Sequence, residues 1–168
     1  MADILAANPN VKFYPVGAGN ARGTFKFTLL DRDDSSNFLL TEAEAKQMGL
    51  QQIDVDVVAL NEFLSEKGFH IPGIIKIDAE GLDLQVLDGA SDYFGKTEIF
   101  IVEAGVGSKY IKNDIAAVMD YMKQKGYRLF EITDLNRPFS LGVLWLVELV
   151  FIKEGGFIHS KVNTLGID

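Results

Sequence analysis

Three carboxylates, Asp78, Glu80 and Asp83, fall within six positions at the end of the apolar run Ile74-Ile75-Lys76-Ile77. Negative charge crowded so tightly opposes folding unless something uses it. A buried strand that runs into an acidic turn and then a helix sets its carboxylates at the C-terminal edge of a sheet, where open α/β folds place their ligands. Glu103 closes the next apolar run, Ile99-Phe100-Ile101-Val102, and points towards the same edge. Together the four carboxylates have the oxygen-rich chemistry that suits a divalent cation. No spaced Asp/Asn loop of the calcium-binding kind accompanies them, so no metal is expected. Asp78 and Glu80 alternate along the strand edge, which sends their side chains to opposite faces unless the chain has already turned at Gly81. Either can also cap the following helix, which contributes roughly 0.3–1 kcal/mol through the helix dipole.

The other reactive residue types are scattered. His70 and His159 are the only histidines, and neither has a ligand partner at helical spacing. Tyr110, Asn136 and Arg137 fall on loops after later strands, the rim on which ligands sit in such sheets. Gly17-Ala18-Gly19-Asn20-Ala21-Arg22-Gly23 is glycine-rich and follows an apolar segment. A phosphate- or cofactor-cradling loop opens a helix, whereas this one opens the alternating run Thr24 to Leu30. It reads as a turn between two strands.

These residues need a sheet to hold them. Val11 to Val16 reads as a strand bounded by Gly17, Thr24 to Leu30 as a second, and Ile53 to Val57 as a third with one wet face. Thr41 to Met48 is helix-compatible, and Leu60, Phe63 and Leu64 have helical spacing ended by Gly68. From Gly73 the rhythm is strand (Gly73 to Asp78), helix (Leu82 to Gly89), strand (Glu98 to Val102), helix (Lys112 to Lys125), strand (Tyr127 to Ile132). A polar loop, Thr133 to Ser140, then leads to a last strand, Val143 to Ile152. Near-continuous apolar strands alternating with helices predict an α/β fold, a mostly parallel sheet with helices on both faces. The 168 residues suit one domain, with 155–168 as a tail. A net charge of −8 argues against nucleic acid or an anionic membrane as partner. No apolar run approaches the roughly 20 residues of a membrane helix, and no secretory leader is visible, so a cytoplasmic location is expected. Cysteine is absent, which rules out disulfides and thiolate metal sites.

Lys76-Ile77-Asp78-Ala79-Glu80-Gly81, followed by Asp83, Val86-Leu87 and Gly89-Ala90, resembles the signature of the FkbM-type S-adenosylmethionine-dependent methyltransferases. That pattern runs lysine, apolar, aspartate, any residue, glutamate, glycine, then an acidic residue and a Leu-x-Gly-Ala ending. Val55 to Leu60, Ile99 to Glu103, Gly126-Tyr127 and Glu148 to Ile152 match in order, so the resemblance covers most of the chain from Val11. Asp83 stands where the family more often has Glu. The resemblance implies a class I methyltransferase-like (Rossmann-like) fold, S-adenosyl-L-methionine as cofactor, and methyl transfer to a hydroxyl of a small molecule or sugar. It makes Asp78, with Glu80 beside it, the catalytic candidate, placed to orient the acceptor or take its proton near the cofactor's methyl group. Gly17 and Ala18 would line the adenine side, and Ser35, Ser36 and Glu103 would meet the acceptor. Family members also carry two earlier strands, one with a glycine-rich turn for the methionine part and one with an acidic residue for the ribose. The chain is therefore expected to be N-terminally truncated, with weak or absent cofactor binding. The alternative is a non-enzymatic domain that forms a homodimer through the sheet edge exposed on its first strand.

Overall fold

The computed structural model describes residues 2–30, 36–38, 40–106, 113–138 and 140–162. Its strands form two sheets. The first holds β1 (Gly17–Gly19), β2 (Gly23–Leu29) and β3 (Gln51–Ala59) in the order β1-β3-β2. The second holds β4 (Ile74–Ile77), β5 (Ile99–Gly105), β6 (Tyr127–Asn136) and β7 (Leu146–Lys153) in the order β4-β5-β7-β6. The helices are α1 (Ala2–Ala7), α2 (Glu42–Gln47), α3 (Leu60–Glu66), α4 (Asp83–Gly89), α5 (Ile115–Gln124) and α6 (Phe157–Val162).

The core lies on one face of the second sheet. Ile75 and Ile77 of β4, Phe100, Val102 and Ala104 of β5, and Val147, Leu149 and Phe151 of β7 are all buried, and their alternation puts them on one side. Leu82, Val86 and Leu87 at α4 and Val118 and Met122 of α5 close over them. Each of these side chains larger than alanine contributes roughly 1.5–3 kcal/mol by leaving water. Asp114 starts α5 by accepting the Ala117 N–H at 2.8 Å, and Gly126 ends the segment with φ of 79°, a left-handed conformation that a side chain resists. The alternate residues fall on the opposite face, where Ile74 stays 58% exposed.

The pairing is mixed, which corrects the mostly parallel expectation. β4–β5 and β1–β3 run parallel, while β2–β3, β5–β7 and β6–β7 run antiparallel. The rhythm was misleading for a definite reason. β5, α5 and β6 do form a crossover between strands that point the same way, but β7 returns between them as the partner of both. A returning strand buried on one face is as apolar as a parallel one. β6 also continues to Asn136, through irregularities between Leu129 and Glu131 and between Thr133 and Asn136, so it absorbs part of the expected loop.

The first strand is displaced too. Val11 to Val16 is not a strand, and Val11, Phe13 and Val16 are exposed. Pro15 lacks the N–H that a ladder requires. The strand is Gly17–Gly19 instead, paired with Val57 to Ala59 of β3. Glycine is needed there because a Cβ on Gly19 would lie 2.8 Å from Val57 Cγ1. On its other side α4 comes so close that a Cβ on Gly89 would collide with the Gly19 carbonyl. In the remainder of this sheet Lys26 faces Asp54 across the β2–β3 pair and bridges it at 2.9 Å. Thr41 and Glu44 form a reciprocal capping box at the start of α2.

Candidate functional site

The acidic turn links β4 to α4 through two left-handed residues, Glu80 with φ of 50° and Gly81 with φ of 100°. A non-glycine residue in that region is uncommon and marks a conformation held by its surroundings. What holds it is Asp83. Its Oδ1 accepts the Ala79 N–H at 3.0 Å, and its Oδ2 accepts from Asn113 Nδ2 at 2.6 Å. Asp83 is fully buried, and desolvation raises its carboxyl above the usual range, with the turn's backbone N–H groups pulling the other way. The residue before α4, Leu82, makes no side-chain cap, and the carboxylate that takes up the Ala79 N–H is that of Asp83.

The second sheet aligns further carboxylates. Ile77 is in register with Val102, so the next residues, Asp78 and Glu103, are neighbours. Glu103 faces Glu148 of β7, and Glu148 faces Thr133 of β6. Residues in register share a face, so Asp78, Glu103 and Glu148 make a row across three strands. A single lysine serves its two ends. Lys76 Nζ pairs with Glu148 and lies 3.6 Å from Asp78, and the Glu148 hydrogen bond raises the lysine's pKa most. Glu103, in the middle and partly buried, is pushed up to about 8 by desolvation and then by the charges of Asp78, Asp83, Glu80 and Glu148. Among the described residues no group of three or more His, Cys, Asp or Glu is arranged to hold a metal ion.

An apolar cleft of about 280 Å³ adjoins the turn, lined by Phe13 to Gly17, Phe27, Phe38 and Val55. Phe38 connects the two places, since its N–H donates to the Glu80 carbonyl at 3.3 Å. Gly17 lies in the wall, and a Cβ there would meet Val57 Cγ2 at 3.0 Å and Phe38 Cζ at 3.6 Å. The cleft is near the lower end of ligand-pocket sizes, roughly 300–1,000 Å³.

The structure therefore brings Asp78, Glu80 and Glu103 together, and Phe38 ties the Gly17 cleft to the turn. Ala18 turns the other way and packs on the core. Ser36 is buried and its hydroxyl accepts the Leu30 N–H at 3.1 Å, while Ser35 and Tyr110 lie outside the described residues. Arg137 donates to the Gly142 carbonyl, and His159 bonds the Gly155 N–H through Nδ1, so both serve local turns. Sequence reasoning missed Asn113, Lys76 and Glu148. Asn113 carries no signal of its own in one dimension, but the other two do: Lys76 inside the apolar run from Ile74 to Ile77 and Glu148 inside that from Leu146 to Ile152 are charges that have to be paired.

A family model described as methyltransferase FkbM domain matches residues 2–129. The chain belongs to that family. The FkbM match includes the acidic turn, Glu103 and Asn113, and it stops before β7, so Glu148 comes from outside it. No curated protein and no solved structure matches the chain. No helix among the described residues is long and apolar enough to cross a membrane.

Proposed function

We propose that this FkbM domain is an S-adenosyl-L-methionine-dependent methyltransferase that acts on a hydroxyl of a small-molecule or sugar acceptor. The observation that carries this reading is the acidic turn itself, which starts a row of carboxylates and is tied through Phe38 to an apolar cleft, in a chain of this family. The residues suit the cofactor in two respects. Carboxylates oppose a sulfonium's positive charge, and the cleft beside Gly17 offers apolar walls to a flat ring such as adenine. Bound S-adenosylmethionine supplies an electrophilic methyl group. The protein's part is to hold the acceptor oxygen in line, and such positioning accounts for much of the rate of a displacement. Asp78, nearly half exposed at the end of β4, orients the acceptor hydroxyl, with Glu80 beside it in the turn. Gly17 belongs to the cofactor side; Ser36, held by Leu30, contributes loop shape. Acceptor and chain meet in the cytoplasm in this reading.

Calorimetric titration with S-adenosylmethionine tests it. Heat of binding and a raised melting temperature are expected, and the absence of both at millimolar cofactor would sink the reading.

A further inference from the structure

Asp78 follows the last residue of β4, and what fixes its direction comes from elsewhere in the chain. The N–H of Ala79 belongs to the planar peptide unit that begins at the Asp78 carbonyl, so a bond to that N–H sets the angle at which Asp78 leaves the strand. Asp83 Oδ1 accepts it at 3.0 Å. The other carboxylate oxygen, Oδ2, accepts from Asn113 Nδ2 at 2.6 Å, across 30 residues of sequence. Asn113 is itself anchored twice. Its carbonyl accepts the N–H of Gly105, the last residue of β5, at 3.1 Å, and the next residue, Asp114, caps α5. A relay of two side chains therefore runs from the frame of β5 and α5 to the peptide that carries Asp78.

Stability alone does not account for the relay. It buries the Asp83 side chain at 0% exposure, leaves Asn113 Oδ1 without a hydrogen-bond partner, and joins a turn in which Glu80 is held at φ of 50°. Each of these disfavours folding. Apolar residues of similar shape at positions 83 and 113 would avoid the first two. Costs gathered at one place persist where a particular geometry has to be held. We propose that Asn113 and Asp83 are positioning residues, which act through the Ala79 N–H to hold Asp78 at the angle where its carboxylate serves the ligand's sulfonium and the acceptor oxygen. Neither side chain touches the ligand. The role deepens the methyltransferase reading and rests on it.

S-adenosylmethionine carries a sulfonium and S-adenosylhomocysteine a neutral thioether on an otherwise matching frame. The ratio of their dissociation constants, measured by calorimetry, reads the placement of the Asp78 carboxylate and cancels what the two ligands share. The unchanged protein should favour the sulfonium form. Asn113→Ala should cut that preference roughly tenfold, the loss expected when a charge recedes by about 2 Å from its counter-charge near a protein surface. If the alanine variant does not fold, Asn113→Ser carries the same expectation. The paired exchange of Asp83→Asn with Asn113→Asp should restore the preference, because the amide at 83 still accepts the Ala79 N–H and now donates to the carboxylate at 113. In an Asp78→Asn background, the change at 113 should leave the ratio where it is. A variant at 113 that weakens both ligands equally, or that shifts the ratio as much without the Asp78 carboxylate, has a merely structural part and would overturn the assignment while leaving the methyltransferase reading in place. Equal binding of the two ligands by the unchanged protein would do the same. Failure of both ligands to bind the unchanged protein would overturn both.

Discussion

The two sheets divide the labour unequally. In the second, Phe100, Val102, Leu149 and Phe151 lie at 0–1% exposure, and Asp78, Glu103 and Glu148 stand in a row near one end. In the first, side chains are partly wet, and the strand nearest α4 is Gly17-Ala18-Gly19. Its charges are spread as exposed pairs, Lys26 with Asp54 and Glu42, and Arg22 with Glu66. Exposed pairs of that kind contribute little, about 0–1 kcal/mol at most sites. The contrast teaches where tolerance ends: buried apolar packing is concentrated in the second sheet, while close backbone approach is concentrated in the first.

Truncating an aromatic in each sheet tests this most strongly. Phe100→Ala should cost about 3–5 kcal/mol in urea denaturation, whereas Phe27→Ala, half-buried against Phe38, should cost less than half of that. Equal costs would erase the distinction. Next comes the seam between the sheets. Gly89→Ala puts a methyl group against the Gly19 carbonyl and should lower stability by about 1–3 kcal/mol, more than expected of glycine to alanine in a helix, which ordinarily stabilises. A third test reads a slope and not a single cost. Glu103 titrates at about 8 in the folded chain against 4.5 as a free side chain, so between those values the folded state holds a proton that the unfolded state has lost. Stability should therefore fall as pH rises through that window, and Glu103→Gln should flatten the decline in melting temperature.

Much of this was legible in one dimension. The periodicities around Ile53, Ile74, Ile99 and Val118 located β3, β4, β5 and α5, and the signature from Lys76 to Ala90 located the turn. The turn's carboxylates could be named but not sorted, because sorting depends on partners in sequence-distant elements: Asn113 for Asp83, and Lys76 and Glu148 for the row. β1 was missed because glycine ordinarily signals a turn, while here it answers crowding by Val57 and α4. The direction of β7 was missed because burial writes the same apolar pattern for either polarity.

The meeting of Gly19 with Gly89 has a consequence for how this domain can change over time. Where two side chains touch, a larger residue on one partner can be rescued by a smaller one opposite. Here the partner is a main-chain carbonyl, which no substitution can shrink. Suppressors of a change at Gly89 should therefore be insertions, deletions or shifts of whole elements, so that the seam between the sheets behaves as a fixed dimension while the surfaces on either side remain free to drift.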